Sequence, residues 1–146
     1  MTGSPAPQQS SRHHLPATAA DVMRAAVTTV EANAHLAAAA YLMTQAGATA
    51  LVVVDNELTL HPIGLITDAD ITQAVADGKD LNQVRIHELM RTHVTVITPT
   101  TSIYEAARAM VDGHFRHLPV VGDAGLVGIV DIGDVCGALL DRQGSQ

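Results

Sequence analysis

The stretch Gly64-Leu65-Ile66-Thr67-Asp68-Ala69-Asp70 decides the fold, because it reads as an aliphatic strand that ends, turns and opens a helix. It has a partner in Gly128-Ile129-Val130-Asp131-Ile132-Gly133-Asp134, with the same order of glycine, two branched aliphatics, an oxygen-bearing side chain and a later aspartate. A glycine, a short aliphatic strand and a helix N-terminus present backbone N–H groups and a partial positive charge to an anion. The element therefore suits a phosphate-bearing ligand. Thr67 and Asp70 also fit a capping box, a hydroxyl cap with an acid three residues later. Taken alone, the heptad is more often a helix start than a binding site, so its surroundings have to decide.

Working outward, the chain repeats itself. Asp21-Val22-Met23-Arg24 returns 67 residues later as Glu88-Leu89-Met90-Arg91. At the same offset Val27-Thr28-Thr29-Val30 answers Val94-Thr95-Val96-Ile97, and residues 51–54 answer 118–121. Asp70 and Asp134 are only 64 apart, so the first copy carries three more residues in its hairpin, within 56–62. Each copy reads as a strand, a helix, a two-strand hairpin and a second helix. Leu36, Ala39, Ala40 and Met43 share one helical face, as do Ile103, Ala106, Ala107 and Met110, and these stripes are core. Ser102 with Glu105 forms a capping box, with Gly113 placed for a left-handed end; Asn33 and Gly47 bracket the first helix. Residues 50–54, 63–67, 118–121 and 126–130 are unbroken apolar runs, implying strands covered on both faces by helices. The helix after Asp70 ends near Asp77-Gly78. The predicted fold class is α/β, two β-α-β-β-α repeats (17–84 and 85–141) about a pseudo-twofold axis, with tails at 1–16 and 142–146. The first tail, rich in Ser, Gln and Pro, is expected to be flexible, and His13 and His14 sit in it.

Composition narrows the function. The 146 residues hold 15 acidic against 8 basic side chains, a formal charge of −7 that opposes diffuse attraction to nucleic acid or anionic membranes. No apolar run approaches the roughly 20 residues of a membrane helix, and no signal peptide is evident. A cytoplasmic protein is expected. The aromatic content of 2% leaves a core of Ala, Val, Leu, Ile and Met. The single cysteine, Cys136, stands among apolar residues and reads as a small buried hydrophobe rather than a nucleophile.

With the paired Met-Arg starts, the Val-Thr segments, Arg116-His117-Leu118-Pro119-Val120-Val121 and the two strand-to-helix turns ending in aspartate, the chain resembles the CBS-domain family over 17–141. That family is named after cystathionine beta-synthase, and its β-α-β-β-α modules occur in pairs. The resemblance implies a sensor without catalysis that binds an adenosyl compound, AMP, ADP, ATP or S-adenosylmethionine, between the repeats. It implies roles for Gly64, for Thr67 at the phosphate and for Asp70 at the ribose. Arg116 or His117 would reach the phosphate, and Thr95 and Val96 would lie beside the base. Phe115 is the only Phe and Trp is absent, so base recognition would rest on aliphatic walls. A second, weaker pocket is expected at Thr28, Val52, Gly128, Asp131 and Asp134. There Asp131 replaces the hydroxyl and would repel a phosphate. No bound cofactor is expected beyond this ligand.

Two other readings stay open. The chain holds eight histidines, and His114 with His117 makes a spaced pair, so a metal held at a dimer interface is one alternative. The other is an interaction scaffold with vestigial pockets, in which Ala38, Ala39, Ala40, Ala106 and Ala107 let helices of two copies approach closely. The family commonly forms twofold homodimers, and such a dimer is expected here. As a free-standing pair it is expected to signal through a partner or through its own assembly.

Overall fold

The computed structural model describes residues 17–144, Glu57 and Thr59 excepted. The tail expected over 1–16, with His13 and His14, lies outside the described residues. Helix α1 (Ala19–Val22) precedes strand β1 (Thr29–Glu31), helix α2 (Leu36–Ala46), strands β2 (Ala50–Val54) and β3 (Pro62–Thr67) and helix α3 (Asp68–Ala76). A 3₁₀ turn at Ile86–Glu88 leads to α4 (Ile103–Gly113), β4 (His117–Gly122), β5 (Gly125–Asp131) and α5 (Ile132–Gly144). Strand β1 runs parallel to β2, while β2–β3 and β4–β5 are antiparallel hairpins. The architecture is α/β and built from two copies of one unit. Helix α5 continues through the first part of the segment expected to be a tail.

The strand expected at 94–97 is reduced to a parallel bridge between Ile97 and Val120. Ile97 donates its N–H to the Pro119 carbonyl at 3.0 Å and accepts from Val121 at 2.8 Å. The next rung would need an N–H from residue 119, and proline has none. The matching residue in the first copy is Val52, where the ladder continues through Thr29.

Helix ends differ from expectation for local reasons. Helix α2 starts after His35, not Asn33, and no side chain caps it. Its first N–H groups, on Leu36 and Ala37, donate instead to the carbonyls of Val84 and Leu81 in the inter-repeat segment (2.9 and 3.0 Å). Ser102 Oγ caps α4 by accepting from the Glu105 N–H at 3.0 Å. Gly47 closes α2 in the left-handed region, φ 62°. At the end of α4, however, that conformation falls on His114, φ 57°, while Gly113 stays helical. The repeat offset matches His114 to Gly47. Gly113 is small because a Cβ there would run into the Phe115 ring.

Two cores hold the halves. Leu36, Ala39 and Met43 pack with Val30, Leu51, Val53 and Ile66, and Ile103, Ala106 and Met110 pack with Leu118, Val120 and Val130. The continuous run of β2 is buried on both faces, but helices cover only one of them. Val52 and Val54, with Leu65, meet Val27, Val94, Leu126 and Ile129 in a third cluster that joins the repeats.

The leading segments are exchanged in space. Ala19 belongs to the core of the second copy, and Ile86 to the core of the first. Arg24 makes a two-way backbone pair with Ile129 (2.9 and 3.1 Å), and Arg91 the equivalent pair with Leu65 (2.9 and 3.1 Å). Glycine permits both crossings. A Cβ on Gly128 would lie 2.5 Å from Met23 Sδ and 3.1 Å from the Arg24 carbonyl, and one on Gly64 would lie 2.8 Å from Met90 Sδ.

Two surface expectations change. Cys136 is exposed, because the inward face of α5 belongs to Val135, one residue and about 100° earlier. Ala39 and Ala106 are fully buried in their own cores, whereas Ala38 is exposed and Ala40 and Ala107 are half-buried. The outer helices also expose Tyr41, Tyr104 and Val111. Among the described residues, no helix is long and apolar enough to cross a membrane.

Candidate functional site

Thr67 and Asp70 tie off their own helix. The Asp70 carboxylate, through Oδ2, accepts from the Thr67 N–H (2.9 Å) and from the Thr67 hydroxyl (3.0 Å), and Thr67 Oγ accepts from the Asp70 N–H (3.3 Å). The remaining first-turn donors of α3 are also engaged. Asp68 N–H donates to the Thr49 carbonyl at 2.9 Å and Ala69 N–H to Asp68 Oδ1 at 2.8 Å. The helix terminus therefore does not stand open to an anion, and the hydroxyl proton expected at a phosphate already belongs to Asp70.

A cavity of about 390 Å³ nevertheless opens in front of Thr67, within the range of small-molecule sites. It lies between the repeats, at the point where both strand-to-helix turns converge. Thr67, Arg116 and His117 line it, as the sequence proposes. Gly64, Asp70, Thr95 and Val96 do not: Gly64 is covered by Met90, and Asp70 serves the cap. Sequence reasoning missed Arg91, Asp68, Thr49 and the apolar Leu65, Phe115 and Ile132, and it placed Asp131 only in the second pocket. Arg91 carried a usable signal, since it repeats Arg24, but only the exchange of leading segments puts it beside Thr67.

The electrostatics are uneven. Neither Arg91 nor Arg116 has a carboxylate within 4 Å among the described residues. Asp131, which also touches the cavity, is engaged from outside it by Arg24 at 3.6 Å. His117 spans the repeats, its Nε2 hydrogen-bonded to Thr49 Oγ1 at 2.9 Å. Burial of the ring lowers its pKa, with Arg116 and Arg91 acting the same way, and this outweighs the pull of Asp131 and Asp68. The ring is therefore mainly neutral at pH 7 and carries one N–H, at Nδ1 or Nε2 according to which role Nε2 takes toward Thr49.

The second turn is built differently. Asp131 Oδ1 accepts from the Asp134 N–H at 2.7 Å, and Asp134 Oδ2 accepts from the Asp131 N–H at 3.0 Å. Burial raises the Asp134 pKa and the neighbouring Asp131 charge adds to it, against the Asp131 N–H and Arg24. Of the residues expected in the second pocket, Asp131 and Asp134 line a cleft of about 70 Å³. Thr28, Val52 and Gly128 stand apart from it: Val52 is fully buried in the inter-repeat cluster and Gly128 is covered by Met23. Among the described residues, no three His, Cys, Asp or Glu side chains come together to hold a metal.

A family model described as CBS domain matches residues 19–77 and 86–141. The chain is 35% identical over 119 residues to Hypoxic response protein 1 of Mycobacterium tuberculosis, covering 81% of this chain and 82% of that protein. A solved Hypoxic Response Protein I with two coordinated zinc ions superposes with a TM-score of 0.68 at 32% identity, over 82% of this chain and 97% of that one. The mitochondrial CBS domain-containing protein CBSX3 of Arabidopsis thaliana is 33% identical over 101 residues, 67% of this chain. The chain spans about half of CBSX3, 49% of its length. The CBS domain pair of protein MJ0100, solved with methylthioadenosine and S-adenosyl-L-methionine, gives a TM-score of 0.77 at 24% identity, over 90% of this chain and 100% of that one. At that identity the likeness speaks for the fold.

Proposed function

The chain belongs to the CBS-domain family, and on that premise we propose that it is a non-catalytic sensor binding one phosphorylated adenosyl compound between its repeats. The observation that carries this reading is the pair Arg91 and Arg116, two guanidinium groups without carboxylate partners within 4 Å among the described residues, lining one cavity. Charge-assisted hydrogen bonds from arginine to phosphate are the strong, planar kind. Neutral His117 adds no repulsion between cations, and with its Nε2 accepting from the Thr49 hydroxyl its Nδ1–H is a further donor. Leu65, Phe115 and Ile132 form the apolar wall against which a base would lie. Asp68, also at the wall, is the carboxylate placed to accept ribose hydroxyls, while Asp70 acts by holding Thr67. The same wall disfavours S-adenosylmethionine, whose sulfonium would sit near two arginines. The twofold homodimer belongs to this reading as the form through which occupancy reaches a regulated partner.

A melting panel tests it, with S-adenosylmethionine included because MJ0100 was solved with it. AMP, ADP and ATP at about a hundred times their dissociation constants are expected to add roughly 2.7 kcal/mol. That is about 5–10 °C in Tm for a chain of this size. Adenosine and S-adenosylmethionine are expected to raise Tm less at equal concentration. Equal or larger shifts from those two would contradict the phosphate reading. No shift with any ligand would favour a scaffold with vestigial pockets.

A further inference from the structure

We infer that Asp131 makes this a one-site sensor, because its ion pair with Arg24 closes the symmetry counterpart of the ligand cavity. The inference rests on the sensor reading above. Seven of the nine residues that line the small cleft beside Asp131 have a repeat counterpart lining the large cavity; His117 and Asp134 do not. Arg24 stands for Arg91, Asp131 for Thr67, Thr49 for Arg116 and Ala50 for His117. Ile129 likewise stands for Leu65, each paired through its backbone to the arginine of the other repeat. The two sites therefore share a scaffold and differ in what fills it.

The difference is chemical. At the large cavity the residue beside Arg91 is a hydroxyl whose proton goes to Asp70, so the guanidinium keeps its donors. At the counterpart the same position is a carboxylate that does two tasks. Asp131 Oδ1 caps α5 through the Asp134 N–H at 2.7 Å, and Oδ2 holds Arg24 at 3.6 Å. A phosphate entering there would have to displace Asp131 from Arg24 and then lie against Asp131 and Asp134. Only one arginine would face it, since Thr49 replaces the second. His117 also leans across the cleft to reach Thr49 at 2.9 Å. About 70 Å³ remains, against about 390 Å³ at the large cavity. The Arg24 side chain is 60% exposed, so the pair contributes little to stability. Its effect is on what can enter.

Calorimetric titration of the full chain with AMP tests this. The wild type is expected to bind one AMP per chain, and Asp131→Thr, which copies Thr67 and remains a good N-cap, two. The double variant Arg91→Ala/Asp131→Thr is expected to keep the opened counterpart site while its AMP affinity at the large cavity falls about 10- to 100-fold. Should the threonine variant fail to fold, Asp131→Asn removes the charge at nearly constant shape and carries the same expectation. One site in both wild type and Asp131→Thr, or two in the wild type, overturns the inference and leaves the sensor reading standing. No binding by any of these proteins when AMP, ADP and ATP are titrated in turn removes the sensor reading and this inference with it.

Discussion

Replacing Arg91 by alanine is expected to weaken AMP binding by about 10- to 100-fold. The figure follows from the 1.5–3 kcal/mol of a hydrogen bond to a charged group, at about 1.4 kcal/mol per factor of ten. The fold should hardly notice. Arg91 is tied to Leu65 through its backbone N–H and carbonyl, at 2.9 and 3.1 Å, and both bonds survive the substitution. Its side chain has no ion pair among the described residues to lose. Calorimetry with AMP, run beside adenosine, separates the effects: adenosine binding should change little, because the guanidinium addresses the phosphate. Unchanged AMP affinity in Arg91→Ala would remove the cationic reading of the cavity.

The second large effect concerns the crossed segments. Gly128→Val is expected to destabilise the chain by about 1–3 kcal/mol, the usual cost of forcing extra atoms into a packed site. That corresponds to about 3–10 °C in Tm. The first added carbon already lies 2.5 Å from Met23 Sδ and 3.1 Å from the Arg24 carbonyl. Methionine can swing aside, but the carbonyl is bonded to Ile129 at 3.1 Å and cannot move without losing that bond. Gly64→Val strikes the equivalent crossing, where Arg91 runs beside the cavity. The two variants should therefore differ in function. Both lower Tm, but only Gly64→Val should also weaken AMP binding. Wild-type melting in both would contradict the exchange of leading segments.

Much of the fold was legible because the repeat supplies each element twice. The apolar stripes Leu36–Ala39–Met43 and Ile103–Ala106–Met110 and the four strand runs lie in periodicities that local sequence reports. The departures come from single residues whose effect is not local. Pro119 removes the rung that would have extended the strand before it, and Phe115 explains why Gly113 is glycine while His114 takes the left-handed turn. Cys136 has apolar neighbours in sequence, yet the helical turn carries it outward from Val135.

The site was legible only in part, for a related reason. Thr67 and Asp70 carry a pattern that serves capping and ligand binding alike, and in the fold the capping role takes the hydrogen bonds. Arg116 and His117 stand in the motif segment itself, and both line the cavity. Arg91 reaches the same cavity from far along the chain, because the segment before each repeat packs on the other. No spacing rule within one repeat reports that meeting.

The most direct measurement is an AMP titration of nitrogen-15-labelled protein, followed by amide chemical shifts. The largest changes are expected at residues 67–69, 91, 115–117 and 131–133, which meet around the cavity from both repeats. Changes confined to one repeat, or centred away from these residues, would contradict the claim that the ligand is read across the boundary between the two halves.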